Sequence, residues 1–174
     1  MSPSAIRRMQ TPVQSSVLSL RLAYRPPFDF GLMLAFLAKR AIPGIERITA
    51  SSYERVTGPA NNTCWIRVCS DVKKPELHLE IANSDPRTIP DIVMRTRRLF
   101  DMDADLQTVH AGLQSNALLR QGIERRPGLR VPGCWDGFEV AVRAVIGQQI
   151  SVAGATTITA RLVAQLGAVR SDAH

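Results

Sequence analysis

Five residues near the end of the chain, Gly147-Gln148-Gln149-Ile150-Ser151, carry the clearest chemical signal in the sequence. Before them, Phe138, Ala141, Val142, Val145 and Ile146 make one apolar helical stripe. After them, Ala155, Ile158, Thr159, Leu162, Val163 and Leu166 make a second. Gly147 suits the C-terminal cap of the first helix, and Ser151 suits the N-cap of the next. Two primary amides and an aliphatic side chain therefore stand at a tight helix junction. Amides donate and accept hydrogen bonds, so such a turn can bind a partner outside the chain. Its chemistry is recognition rather than bond breaking. The same residues also read as an ordinary short connection with polar filler.

Other chemically suggestive groupings carry less. Asp101, Asp103 and Asp105 alternate like a calcium loop, but Leu106 and Gly112 stand where the turn glycine and the bidentate acid belong. Helix capping accounts for them. Cys64 and Cys69 lack compact ligand spacing and a second ligand pair, so no metal site is expected, and Cys64 reads as a core thiol. His78 reads as solitary on the outer face of a strand, and His110 has no histidine one turn away. No serine elbow, phosphate loop or dinucleotide-binding glycine pattern occurs. Ile42-Pro43-Gly44-Ile45 imitates a phosphate-gripping hairpin, but Glu46 replaces its second glycine and a strand, not a helix, should follow.

The turn needs a scaffold, and the rest of the 174 residues supply one. The apolar share is 45 %, charged residues are 21 %, and the net charge is +7 with a pI near 10.2, a balance that favours polyanions such as DNA or RNA. Three irregularly spaced cysteines fit a reducing compartment. No apolar run nears the roughly 18 residues that span a bilayer, and no signal core follows the N-terminal arginines. A cytoplasmic protein of bacterial type, without membrane partners, is expected.

Met1 to Ser16 is aperiodic and reads as a flexible leader. Alternation marks strands at Leu18–Tyr24, near Ile45–Thr49 and Tyr53–Thr57, at Thr63–Ser70 and at Glu76–Ile81. Gly58-Pro59 and Asn61-Asn62 are turn chemistry. Asp29 should cap a helix over Phe30–Arg40, with Met33, Leu34, Leu37 and Ala41 on one side and Leu32 and Phe36 on another. A second helix carries Ile89, Ile92, Val93, Thr96, Leu99 and Phe100 inward. Past Phe100, Asp105 caps a helix to about Asn116, a loop runs from Gly122 to Trp135, and the two helices flanking the turn follow. The fold class is α+β with an antiparallel sheet. A boundary near Met102 divides residues 17–102 from a helical part, 103–174.

Four segments then resemble one family. They are YRPPFDFGLMLAFLAKRAIPGIE (Tyr24 to Glu46), RRLFDMDAD (Arg97 to Asp105), RRPGLRVPGCWDGFEVAVRAVIGQQISVAGA (Arg125 to Ala155) and the following TARLV. In order and spacing they resemble the 3-methyladenine DNA glycosylase II family, the AlkA-like branch of the helix-hairpin-helix glycosylases. The resemblance implies half of a TATA-binding-protein-like sheet domain, then the first helices of an all-α glycosylase domain. It implies that the turn enters the minor groove of double-stranded DNA with alkylated bases. Gln149 would fill the gap left by a flipped nucleotide, and Gln148, Ile150 and Ser151 would belong to the DNA-binding set. Phe36 would face the base pocket, or serve plain interdomain packing, or both. No cofactor is implied.

The family's phosphate-gripping hairpin and catalytic aspartate would fall after Leu166, where only a short tail with Asp172 remains. The chain by itself is therefore expected to contain no catalytic residue and to be inactive, and a complementary catalytic polypeptide is one expected partner. The alternative is a non-enzymatic DNA-binding or interaction module derived from the family; a relative of the 8-oxoguanine glycosylases is a third reading. The leader SPSAIRR resembles the end of an AraC-type helix-turn-helix domain, as in fusions with an Ada-type sensor.

Overall fold

The structure is a computed structural model that describes residues 17–58, 63–71, 73–82 and 84–167. The leader, Pro59, Asn61-Asn62 and the tail with Asp172 lie outside the described residues. Five strands come first, with one helix between them: β1 (Val17–Ala23), α1 (Phe30–Ala38), β2 (Glu46–Ile48), β3 (Ser52–Thr57), β4 (Cys64–Ser70) and β5 (Glu76–Ala82). A single 3₁₀ turn at Pro86–Thr88 leads into α2 (Ile89–Leu99), then α3 (Leu106–Leu113), α4 (Ala117–Arg125), α5 (Gly137–Ile146) and α6 (Val152–Leu166). The sheet is antiparallel throughout, in the order β1-β5-β4-β3-β2. The α+β architecture matches the class read from the alternation.

Period two decides what each face of the sheet carries. The register pairs Ile66 with Ile81 and Val68 with Leu79, and all four are fully buried beneath α1 and α2. On α1, Phe30, Met33, Leu34 and Leu37 point into this core. Asp29 caps α1 by accepting from the Leu32 amide at 2.9 Å. Leu18 alternates correctly yet is 37 % exposed, because the outer end of edge strand β1 is not covered. The other face of the sheet bears a ladder of alternating charge. Arg47 pairs with Glu54, Glu54 lies 3.7 Å from Arg67, and Arg67 lies 3.6 Å from Glu80. Two cations cancel two anions across four strands, so this face does not account for the positive charge of the chain.

His78 is not solitary. Its Nε2 faces Asp71 at 3.5 Å and Glu76 at 3.6 Å, and Arg21 lies 3.6 Å from Glu76. Cross-strand register brings these charges together at the end of the β4–β5 hairpin. The aspartates also take distinct tasks: Asp105 accepts from the Gln107 and Thr108 amides to cap α3, Asp103 pairs with Arg97, and Asp101 accepts from the Val131 amide.

Strands end at Ala82, but packing runs across the expected division at Met102. Phe100 and Met102 are fully buried, and Trp135 belongs to the same cluster. The segment 126–135 returns to the sheet domain. Gly133 donates to the Leu99 carbonyl at 3.0 Å, and any Cβ there would overlap the Arg98 carbonyl. The Arg130 guanidinium donates to the carbonyls of Asp101 and Arg25, and to those of Pro27 at 3.1 Å and Ala104 at 3.4 Å. Part of the expected loop is helical: α4 starts where Asn116 accepts from the Leu118 and Leu119 amides. Asn116 thus opens a helix as well as lying just beyond the end of another.

Candidate nucleic-acid interface

The five-residue turn is exposed along its whole length. Gly147 closes α5 in a right-handed conformation, its amide donating to the Arg143 carbonyl at 2.8 Å. A Cβ at 147 would stand 2.9 Å from that oxygen, so the glycine is there for proximity rather than for left-handed freedom. Gln149 takes the left-handed region, at φ 61°. Outside glycine this conformation costs about 1–2 kcal/mol and is seldom seen in a residue like glutamine. Such strain gathers at functional sites. Ser151 caps α6 by accepting from the Gly154 amide at 3.1 Å. Both amide side chains therefore stand on a fixed bend in solvent, and neither is packed under other side chains.

Next to the turn lies a cleft of about 400 Å³ between the sheet domain and helices α5 and α6. Phe36 and Ile150 both line it, so residues far apart in sequence and singled out separately share one cavity. Phe36 is 40 % exposed, and the Arg40 guanidinium lies 3.8 Å over its ring. Gln148, Gln149 and Ser151 do not line the cleft. They stand on its outer rim.

The floor of the cleft is ionic, and sequence reasoning missed it. Register puts Tyr53, Arg55 and Thr57 on the core face of β3, opposite Val68, Ile66 and Cys64. Arg55 is buried there and donates to Glu139 of α5 and, at 3.1 Å, to Glu46. The Tyr53 hydroxyl donates to the same Glu46 oxygen at 2.7 Å. Burial first, and the Glu46 carboxylate second, push the Tyr53 hydroxyl far above its usual range, so it stays protonated. Burial opposes the charge on Arg55, but the Glu139 carboxylate that accepts from its guanidinium holds it protonated. Trp135 closes one side, its indole donating to Thr57 at 2.9 Å. The signal available in sequence was an arginine at an inward position of an alternating strand.

Glu46 and Glu139 are the acidic residues among those lining the cleft, and both are committed to arginines. Meanwhile Arg120, Arg125, Arg126 and Arg161 are exposed on the helical part, with no carboxylate partner among the described residues. Exposed arginines without an ion pair thus stand on the helical part, while Lys39, Lys73, Lys74 and Arg98 are exposed in the same way on the sheet domain.

The fold defines a class first, an antiparallel sheet domain followed by helices that is shared with a solved DNA glycosylase. The solved 3-methyladenine DNA glycosylase from Archaeoglobus fulgidus superposes with a TM-score of 0.73 over 84 % of this chain and 50 % of that chain, at 16 % identity, a likeness of fold. The sequence model of the AlkA N-terminal domain matches residues 19–136, and the chain belongs to that family. The DNA-3-methyladenine glycosylase 2 of Escherichia coli K12 is 38 % identical over 151 residues, which are 87 % of this chain and 51 % of the relative. A probable bifunctional transcriptional activator/DNA repair enzyme AlkA of Mycobacterium tuberculosis H37Rv is 34 % identical over 173 residues, 98 % of this chain and 34 % of the relative. The chain therefore spans about half, or less, of the curated relatives it matches.

Proposed function

We propose that this chain is the DNA-engaging part of a base-excision repair glycosylase acting on alkylated bases in duplex DNA. The observation that carries the reading is the exposed, strained Gln149 beside a cleft that Phe36 and Ile150 share. A rigid bend presenting amides to solvent fits the gap in a base stack, and a cleft at its foot fits the extruded base. Unpaired arginines on the helices supply attraction to phosphate. The names of the relatives support the same partner.

The test is binding, measured by fluorescence anisotropy. The 174-residue chain is titrated into a duplex with a tetrahydrofuran abasic analogue and into the intact duplex. An abasic position already lacks the base whose unstacking costs a few kcal/mol. Preference for the abasic duplex by tenfold or more supports the reading, and equal affinity refutes it.

A second reading, a non-enzymatic module, is favoured by one observation. Each carboxylate lining the cleft is already paired, so among the described residues none is free there to stabilise a cationic sugar. Hydrolysis would then come from a complementary polypeptide. Exposed apolar side chains on α5 and α6, Phe138 at 80 % and Val145 at 71 % among them, are where such a partner would pack.

A further inference from the structure

Helix α5 is attached to the sheet by charge more than by apolar contact. None of its residues is fully buried. What faces the sheet is Glu139 and, one turn on, Arg143. Glu139 receives Arg55; Arg143 lies 3.4 Å from Glu139 and 4.0 Å from Glu46, and donates to the Arg40 carbonyl at 2.6 Å. Glu46 is held from the sheet side as well. One oxygen accepts from Tyr53 and Arg55, and the other accepts from the Ile42 amide at 3.0 Å. Arg55 and Glu46 have side chains only 6 % and 7 % exposed. The cluster is a closed clamp with Arg55 at its centre. It joins the sheet to the helix that carries the turn.

We propose that Arg55 is a positioning residue: by bridging Glu46 and Glu139 it sets the tilt of α5 on the sheet, and so the place of the Gln148–Gln149 tip. The lever is simple. From Glu139 to Gly147 a helix rises about 12 Å, so a tilt of about 10° moves the tip by about 2 Å. Recognition sites tolerate roughly 0.5 Å. Arginine is required because its planar fork reaches two carboxylates on two elements at once, whereas an ammonium is a point charge. Apolar packing would hold α5 less well, since a greasy contact slides and a hydrogen-bonded fork has one geometry.

The proposal rests on the reading of the turn as the DNA contact, and the experiment separates the two. Arg55→Lys and Glu139→Gln are made in the full chain. Each is followed by segment-resolved hydrogen exchange and by affinity for the abasic duplex across a salt series. The expected result for both is unchanged protection of β4 and β5 and exchange at least tenfold faster across residues 137–151. Affinity falls by roughly tenfold while the slope of log Kd against log salt stays the same, since no phosphate contact is lost. Protection lost equally in all segments would make Arg55 a general stability element and overturn the proposal. So would a slope smaller by about one, which would place Arg55 on a phosphate, or no change at all. Glu139→Gln opens the bridge from the helix side and so keeps the test alive if a variant at buried Arg55 fails to fold. If the unaltered chain shows no preference for the abasic duplex, the DNA reading falls, and the exchange result alone still decides whether Arg55 positions the turn.

Discussion

Replacing Arg130 with methionine should unlatch the helical part from the sheet domain. Arg130 is 5 % exposed, and its guanidinium spans four backbone carbonyls on two segments: Arg25 and Pro27 after β1, and Asp101 and Ala104 after α2. It also lies 5.0 Å over the Phe28 ring. Methionine matches much of the volume and donates nothing. Leaving a buried acceptor unsatisfied costs about 1–3 kcal/mol, and hydrogen bonds from a charged donor are at the strong end of the scale. Some of the freed carbonyls will find water, so the expected loss is about 3–5 kcal/mol. That is a large part of the roughly 5–15 kcal/mol holding a domain together. For a chain of this size the melting temperature should fall by about 10 °C. Urea unfolding followed by the fluorescence of Trp65 on β4 and Trp135 in the shared core gives the free energy directly. Arg130→Lys should recover less than half of the loss, because one ammonium cannot reach all four oxygens. The loss should also hardly change between low and high salt, since the acceptors are carbonyls rather than screened carboxylates. A loss under about 1 kcal/mol, or full recovery by lysine, would refute this account of the latch.

Three further outcomes are expected. Gln149→Gly removes left-handed strain of about 1–2 kcal/mol against roughly 0.5–1 kcal/mol of added chain freedom, so calorimetry should show equal or slightly higher stability. The same change should weaken abasic-duplex binding at least tenfold, and undiminished binding would count against the gap-filling role. The purified chain should release no base from methylated DNA, because the carboxylates of the cleft are engaged; measurable turnover would show that reading to be wrong. Asp136 is held below its usual range, first by the hydrogen bond from the Glu139 amide at the start of α5, and Asp103 likewise by the hydrogen bond from Arg97. A depressed carboxyl stabilises the fold above its unfolded pKa of about 4, and that contribution is lost as pH falls through the lower folded value. Stability measured from pH 5 to 2 should decline less steeply in Asp136→Asn, which keeps a capping side chain but does not titrate.

Much of the sheet was legible because alternation is a local signal. Ile66, Val68, Leu77 and Leu79 announce an inward face without reference to anything distant. Helix α4 was not, because Gly122 and the arginines around it look like loop, and Asn116 serves the end of one helix region and the start of the next. The turn could be read from Gly147, two amides and Ser151. The left-handed backbone of Gln149 could not, since nothing in a glutamine asks for that conformation. Arg55 shows the deeper limit. An inward charge has meaning only through its partners, and Glu139 lies 84 residues away in sequence. Sequence periodicity places a side chain on a face, but it does not say what meets it there.

The most direct test of the DNA contact is to map where an abasic duplex touches the chain, by amide chemical-shift changes and protection in the bound state. The expected footprint is residues 147–151 together with the Phe36 side of the cleft, leaving the Arg47–Glu54–Arg67–Glu80 ladder unaffected. A footprint on that ladder with the turn untouched would contradict it.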